Sequence, residues 1–478
     1  MAGCSGRGAG SLRVAVIDNG ADLFAAGNRL SPGAQLIRAA TRSGLVALDE
    51  KGDVVPALAD QWTVTDDGLS YIFRLREGKW PDGREMTAQS VRSTLGDAIR
   101  GLRGTSLGLD LASIAQIRAM AGQVIEIRLS RPAPSLLQVL AQPELALQRG
   151  APGKTGDTGP MLLERRGIAA VLQLKRPADR GLPEEADWGR YVRPVELTAT
   201  SPARAIDLFG QDAVDVVLGG TLAWLPLAPS GPLSRGTVQL DPAVGLFGLQ
   251  VRTGGGFLGE VRNREAIAMA LDRAALIAPF NIGGWAPATR IVPPQLPGSR
   301  EAGTQRWAGQ PIDALRAAAA RRVAGWRAAH GGAPVRLTLA LGDGPGNRAL
   351  MRELTSQLAG IGIVLEAVPE AAPADLVPVD RVARYAAPQW FLDQFNCALR
   401  QGLCDPAADA LVAEAAAAPD PASRAAKLAA ADAHLTEANL YIPFGSPIRF
   451  SLVRSNVTGF APNAWAFHPL PPLAAIPK

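Results

Sequence analysis

Between Val335 and Val368 the chain spells a strand, a helix and a second strand in quick succession. Val335, Leu337, Leu339 and Leu341 occupy alternate positions, the period of a strand with one face on a core. Asn347 stands where it can cap a helix carrying Leu350, Leu354 and Leu358 on one face. Gly360 and Gly362 end that helix, and Ile363–Val368 follows as the second strand. Two strands joined through one helix lie parallel, and backbone chirality makes the crossover right-handed. This βαβ unit predicts an α/β fold.

Other segments add elements of both kinds. Leu12–Ile17 is an opening strand. Tyr71, Phe73 and Leu75 alternate with Ile72, Arg74 and Arg76 as a strand on a core. Pro81-Asp82-Gly83 is a turn, because proline presets φ and glycine accepts positive φ. Thr87 can cap a helix with Val91 and Leu95 on one face. Ile125, Ile127 and Leu129 form another alternating strand. Residues 203–218 read as a helix then a strand, and 264–277 as one helix. A long Ala-rich helical stretch at 406–439 breaks near Pro419-Asp420-Pro421. Residues 151–159 read as a loop, and Gly254-Gly255-Gly256 as a flexible crossing.

A chain of 478 residues exceeds one hydrophobic core, so two or three domains are expected. No apolar run is long enough to cross a bilayer. The net charge of +5 comes from 49 basic and 44 acidic residues spread along the chain, without the dense basic stripe that nucleic-acid binding uses. Gly153-Lys154-Thr155 ends like a phosphate-binding loop, but Gln148 stands where that loop needs its first glycine.

An ordered series of residues at 45–95 carries more information than any single motif. It runs Leu45-Val46, Asp49, Gly52, Pro56, Leu58-Ala59, Trp62, Asp67-Gly68, Tyr71, Phe73, Leu75-Arg76, Gly78, Asp82-Gly83, Thr87-Ala88 and Val91. This resembles the peptide/nickel-binding family of bacterial solute receptors. Later stretches resemble the family in the same order. They are Thr158-Gly159-Pro160, Ala205 to Asp215, Val261-Arg262 through Ala270-Leu271-Asp272-Arg273, Gln357-Leu358 with Ile361-Gly362-Ile363, and Ile442-Pro443. The resemblance implies an α/β, two-lobe periplasmic binding protein fold, with a ligand cleft between lobes joined by hinge strands and an extra subdomain on lobe one. Lobe one would take residues 12–45, 160–251 and 444–478, its subdomain 46–159, and lobe two 252–443. Residues 1–11 would be a tether. Trp62, Tyr71 and Phe73 would then be core residues of the subdomain, each worth roughly 1.5–3 kcal/mol by burial.

The implied function is ligand capture by hinge closure for the permease and ATPase subunits of an ABC importer, by a monomer without cofactor. A sensing receptor of the same fold is the alternative, and a periplasmic enzyme a further one. His330, His434 and His468 have no partner at metal-ligand spacing, and no Gly-x-Ser-x-Gly elbow joins a strand to a helix. His330 stands at a helix end, His434 on a polar helix face and His468 in a Pro-rich tail. Peptide-binding members of the family hold a free α-amine with an acidic residue near an Asp-Pro pair. Here Ala387 precedes Pro388, and Asp393 is displaced to an expected surface position. The ligand-binding candidates are Tyr385 and Trp390 on lobe two and Thr41 and Arg42 on lobe one. An arginine there would hold a carboxylate.

The cysteines bear on location. Met1-Ala2-Gly3-Cys4-Ser5 resembles the end of a bacterial lipoprotein signal. The expectation is a start upstream of Met1, a lipidated Cys4, and a periplasmic protein anchored to the membrane only through that lipid. A cytosolic protein with free thiols is the competing reading. Cys397 and Cys404 are close in sequence, and an oxidising compartment would join them in a disulfide. A metal site and two unrelated thiols are the alternatives.

Overall fold

The structure, a computed structural model, describes residues 10–18, 22–25, 27–149, 158–229, 236–296, 299, 305–418 and 420–476. Cys4, Gly153-Lys154-Thr155 and Pro419 lie outside the described residues. The chain divides into two units. One comprises residues 1–221, 227–242 and 449–478, the other 222–226 and 243–448.

The first unit is built on a seven-stranded sheet with Leu12–Ile17 at its centre. That strand runs parallel to Val195–Thr200 on one side and Val216–Thr221 on the other. Leu12, Val14, Ala15 and Val16 are all buried, as expected of a central parallel strand covered on both faces. Helix Pro32–Thr41 packs on it through Leu36, Ile37 and Ala40. Ser31 starts this helix by accepting from the Ala34 N–H, with Pro32 in the first turn, where no N–H is needed.

Residues 59–129 of the same unit carry a four-stranded antiparallel sheet. Its order is Ala59–Val64, Ser70–Leu75, Val124–Leu129, Ile114–Met120. Tyr71, Phe73 and Leu75 are buried with Ile125 and Ile127 opposite, so the alternation read in the sequence is the core face. Gly83 sits at φ +83° in the expected turn. Thr87 caps helix Ala88–Gly101, and Ser90 returns the bond, while Val91 and Leu95 face inward. Trp62 departs from expectation, being only half-buried across from Phe73. The buried tryptophan here is Trp80, whose Nε1 donates to Ser90 Oγ at 2.9 Å.

The second unit has a five-stranded sheet ordered Ile363–Val368, Val335–Ala340, Leu376–Val382, Gly245–Val251, Tyr441–Gly445. The first two strands are parallel in continuous register from Val335–Ile363 to Ala340–Val368, which is the βαβ unit of the sequence. Phe247, Leu249, Val251, Ile442 and Phe444 feed one core from one sheet face.

Two local expectations are corrected. Helix Pro345–Ala359 begins before Asn347, whose Nδ2 donates to Gly342 O at 2.8 Å instead of its side chain capping the helix. Residues 264–277 form two helices, Val261–Ala270 and Arg273–Ile277. The break is chemical: Asp272 is an N-cap and accepts from Ala275 N at 3.1 Å. Gly254-Gly255-Gly256 lies inside the second unit and leads into a short 3-10 turn.

Candidate functional site

In the first unit, Thr41 and Arg42 close helix Pro32–Thr41. Thr41 is buried, and its hydroxyl donates back to Ile37 O at 2.8 Å. Its carbonyl accepts from Gly159 N at 2.8 Å. Thr41 therefore positions backbone, with its polar atoms committed internally. Arg42 turns the chain into extended conformation, and its guanidinium donates to Gln148 Oε1. It lines a cavity of about 480 Å³ in this unit.

Gly159, from the family-like Thr158-Gly159-Pro160, explains itself here. A Cβ at this position would lie 2.5 Å from Thr41 C and Arg42 N and 2.7 Å from Ala40 O. All are backbone atoms and cannot swing away. Gly159→Ala is expected to destabilise the unit by about 1–3 kcal/mol, the range for overpacking. Denaturant unfolding of the variant checks this; an unchanged midpoint would refute it.

In the second unit, Tyr385 and Trp390 are both buried, at 6% and 1% exposure. Trp390 lies on helix Pro388–Asp393, with its ring edge-on to Phe391 at 5.0 Å. That helix packs on helices Pro406–Ala416 and Pro421–Ala438. Packing accounts for the ring, but among the described residues the buried indole Nε1 has no acceptor. Asp393 is buried, correcting the surface position expected for it, and accepts from Gln389 Nε2 at 3.3 Å.

Arg381 was not singled out from sequence, yet it organises this region. It donates to Gln394 Oε1 at 3.3 Å and Gln401 Oε1 at 2.6 Å, and Gln394 donates to Trp390 O at 3.0 Å. Burial pushes its pKa down, with Arg384 adding to the effect and Tyr441 opposing it. Gln401 belongs to the loop between Cys397 and Cys404, whose Cα atoms lie 5.2 Å apart. Cys397 N donates to Asp409 Oδ2 at 3.0 Å, and Leu403 N to Val251 O at 3.0 Å. Tyr441 is buried, with no partner for its hydroxyl among the described residues, and its pKa is driven far up by burial. It lies over Gly248, where a Cβ would meet its Oη at 2.7 Å.

The histidines take structural places. His330 follows helix Ile312–Ala329, where it stacks on Trp326 at 4.1 Å. His434 is half-exposed beside Asp405, 3.7 Å away. His468, in the Pro-rich tail, is buried with Nε2 3.2 Å from Asp241 Oδ2 and the ring tilted against Phe460. Nothing in the local sequence marks that pair, because Asp241 is remote in the chain. Among the described residues no three His, Cys, Asp or Glu side chains gather as metal ligands.

Comparison with known proteins gives the arrangement a family. The family model for bacterial extracellular solute-binding proteins, family 5 Middle, matches residues 53–397. The glutathione-binding protein GsiB of Escherichia coli is 26% identical over 304 residues, covering 59% of this chain and 55% of that protein. The chain thus spans about half the length of such relatives. The murein tripeptide binding protein MppA of Escherichia coli superposes with a TM-score of 0.79 at 20% identity, over 98% of this chain and 99% of that one. Haemophilus influenzae OppA gives 0.78 at 15% identity, with coverage of 98% and 99%. These likenesses establish the α/β fold of the two-lobe binding proteins. With its middle matched from residue 53 to residue 397, the chain belongs to the bacterial extracellular solute-binding proteins of family 5.

Proposed function

We propose that this protein is the solute-capturing component of an ABC importer, a binder and not an enzyme. It takes a peptide-like or other small polar solute by hinge closure and passes it to a membrane permease. The observation that carries the reading is the family match through residues 53–397. The relatives agree in kind: one is named for glutathione and one for a murein tripeptide. The lobe limits and the ligand contacts Arg42, Thr41, Tyr385 and Trp390 carry over as part of the proposal. Arg42 supplies a cation at a cavity wall, and Trp390 an indole N–H without an acceptor among the described residues.

Location belongs to the same proposal. The protein works in the periplasm, held at the membrane by a lipid on Cys4. Mass spectrometry of protein from its native host tests both parts. The native preparation is expected to release a small polar ligand, and the intact mass to include an acylated Cys4. Protein with no ligand that also fails to bind any member of a peptide library would end the transport reading. An unmodified Met1 would end the anchor alone.

The Cys397–Cys404 bond is proposed for the mature protein as a fixed structural link. Its support is the short sequence separation of 7 and the Cα separation of 5.2 Å, within the usual range for a disulfide. Reduction is expected to lower stability by about 2–3 kcal/mol through loop-closure entropy. Melting with and without reductant checks the effect. Two thiols alkylated without reductant would count against the bond.

A further inference from the structure

The 480 Å³ cavity of the first unit lies within the size range of small-molecule sites. Strand residues 46–48 and 55–58 line it, together with 76–79, the turn at 158–160, residues 175–181 and the tail at 467–472. Val46, Leu58, Met86 and Phe467 contribute apolar wall. The charged wall is unequal: Arg42, Arg76, Lys79, Lys175 and Arg180 stand against Asp49, Glu77 and Asp179.

Two of those three carboxylates are already engaged. Asp49 accepts the N–H groups of Lys51 and Asp53, both at 2.9 Å. Asp179 pairs with Arg176 at 3.4 Å, on the exposed side. Arg76 and Arg180, by contrast, hold no carboxylate within ion-pair distance among the described residues. Arg180 is half-buried, and burial and then Arg76 push its pKa down, with Glu185 opposing. Both residues line this cavity, and two like charges on one partly buried wall are unfavourable alone. An anion beside them reverses the sign, and guanidinium forks match carboxylate geometry.

We propose that this cavity is a second ligand site, taking a small amphipathic anion whose acidic group is held by Arg76 and Arg180 and whose apolar tail lies along Leu58 and Phe467. The Arg76–Arg180 site shares its cavity with the proposed solute contact Arg42 but uses neither Arg42 nor Thr41, and it stands whether or not the transport reading holds.

Octanoate is a suitable probe, titrated calorimetrically into the full chain at low ionic strength. Saturable binding at one site is expected. 1-Octanol lacks the charge and should bind about tenfold more weakly or worse, the factor one charged hydrogen bond commands; acetate keeps the charge but lacks the tail, and should lose at least as much through the apolar surface it cannot bury. Arg76→Gln combined with Arg180→Gln should weaken octanoate by a similar factor. Ala47→Phe fills the cavity without touching its charge and should do the same. Absence of octanoate binding, equal binding of 1-octanol, or affinity unchanged in both variants would overturn the proposal. Peptide binding by the Arg76→Gln, Arg180→Gln preparation should be unaffected, because neither residue is among the proposed solute contacts, so the two functions are read separately.

Discussion

Asp432→Ala is expected to lower unfolding free energy by about 3 kcal/mol, the lower end of the effect of breaking a buried ion pair. Asp432 lies on helix Pro421–Ala438 and is fully buried. Its carboxylate pairs with Arg290 at 2.8 Å and accepts from Val292 N at 3.1 Å and Thr436 Oγ1 at 3.2 Å. Arg290 and Val292 belong to a segment without regular secondary structure. One carboxylate therefore stands in for the backbone ladder that this segment lacks. Alanine would leave a backbone donor and a guanidinium in a buried setting with no partner. The lower end applies because Arg290 retains 15% side-chain exposure and can recover some hydration. Chemical denaturation reads the loss, and hydrogen exchange should place it on residues 288–296. A change below about 1 kcal/mol, the net worth of one ordinary hydrogen bond, would refute the role.

Asparagine separates shape from charge at this position. Burial pushes the Asp432 pKa up, against the pull of Arg290 and the hydrogen bonds from Val292 N and Thr436. A carboxyl raised in the folded state contributes stability fully below its unfolded pKa and loses it as pH rises through the folded value. Asp432→Asn cannot titrate. The stability difference should therefore move in favour of the asparagine variant as pH rises from about 3 towards neutrality. Movement in the opposite direction would show that Arg290 outweighs burial.

Much of the architecture was legible because it depends on local periodicity. Alternation around Tyr71 and Phe73, and the βαβ unit at 335–368, name their own buried faces. Errors arose where one polar residue had two possible roles. Asp272 sits in a helical pattern but ends one helix and caps the next. Asn347 looks like a cap but donates to the preceding turn. Trp62 pairs across strands with buried Phe73 yet stays half-buried, while Trp80, in an irregular segment, is buried. The site was less legible than the fold. Arg381 acts through Gln394 and Gln401, and Arg180 becomes notable only beside Arg76. Such pairings bring together residues distant in sequence, and periodicity carries no record of them.

Arg273 shows what a family-like motif does physically, and its loss should be as damaging as that of Asp432. It follows Asp272 in the Ala270-Leu271-Asp272-Arg273 stretch and is buried. Its donors go to backbone: Nε to Pro443 O at 2.8 Å, Nη1 to Leu271 O at 3.0 Å and Nη2 to Ala268 O at 3.2 Å. Ala268 belongs to the last turn of its helix and Leu271 is its C-cap, where carbonyls have no helical partner. The helix break made by Asp272 thus creates a need that the next residue meets. Burial, and then Arg306, push the Arg273 pKa down to about 10, so the side chain stays charged at neutral pH. Arg273→Met keeps much of the length but removes every donor. Leaving these carbonyls buried should cost about 3 kcal/mol or more, at 1–3 kcal/mol for each unsatisfied group. Lysine brings one charge without the planar fork and should recover only part of the loss. Pro443 lies on the edge strand Tyr441–Gly445, a few residues before the chain leaves the second unit at Ile448. Exchange protection should therefore fall along Tyr441–Gly445 as well as at the helix break. Methionine with full stability and an unchanged edge strand would show that the guanidinium merely fills space.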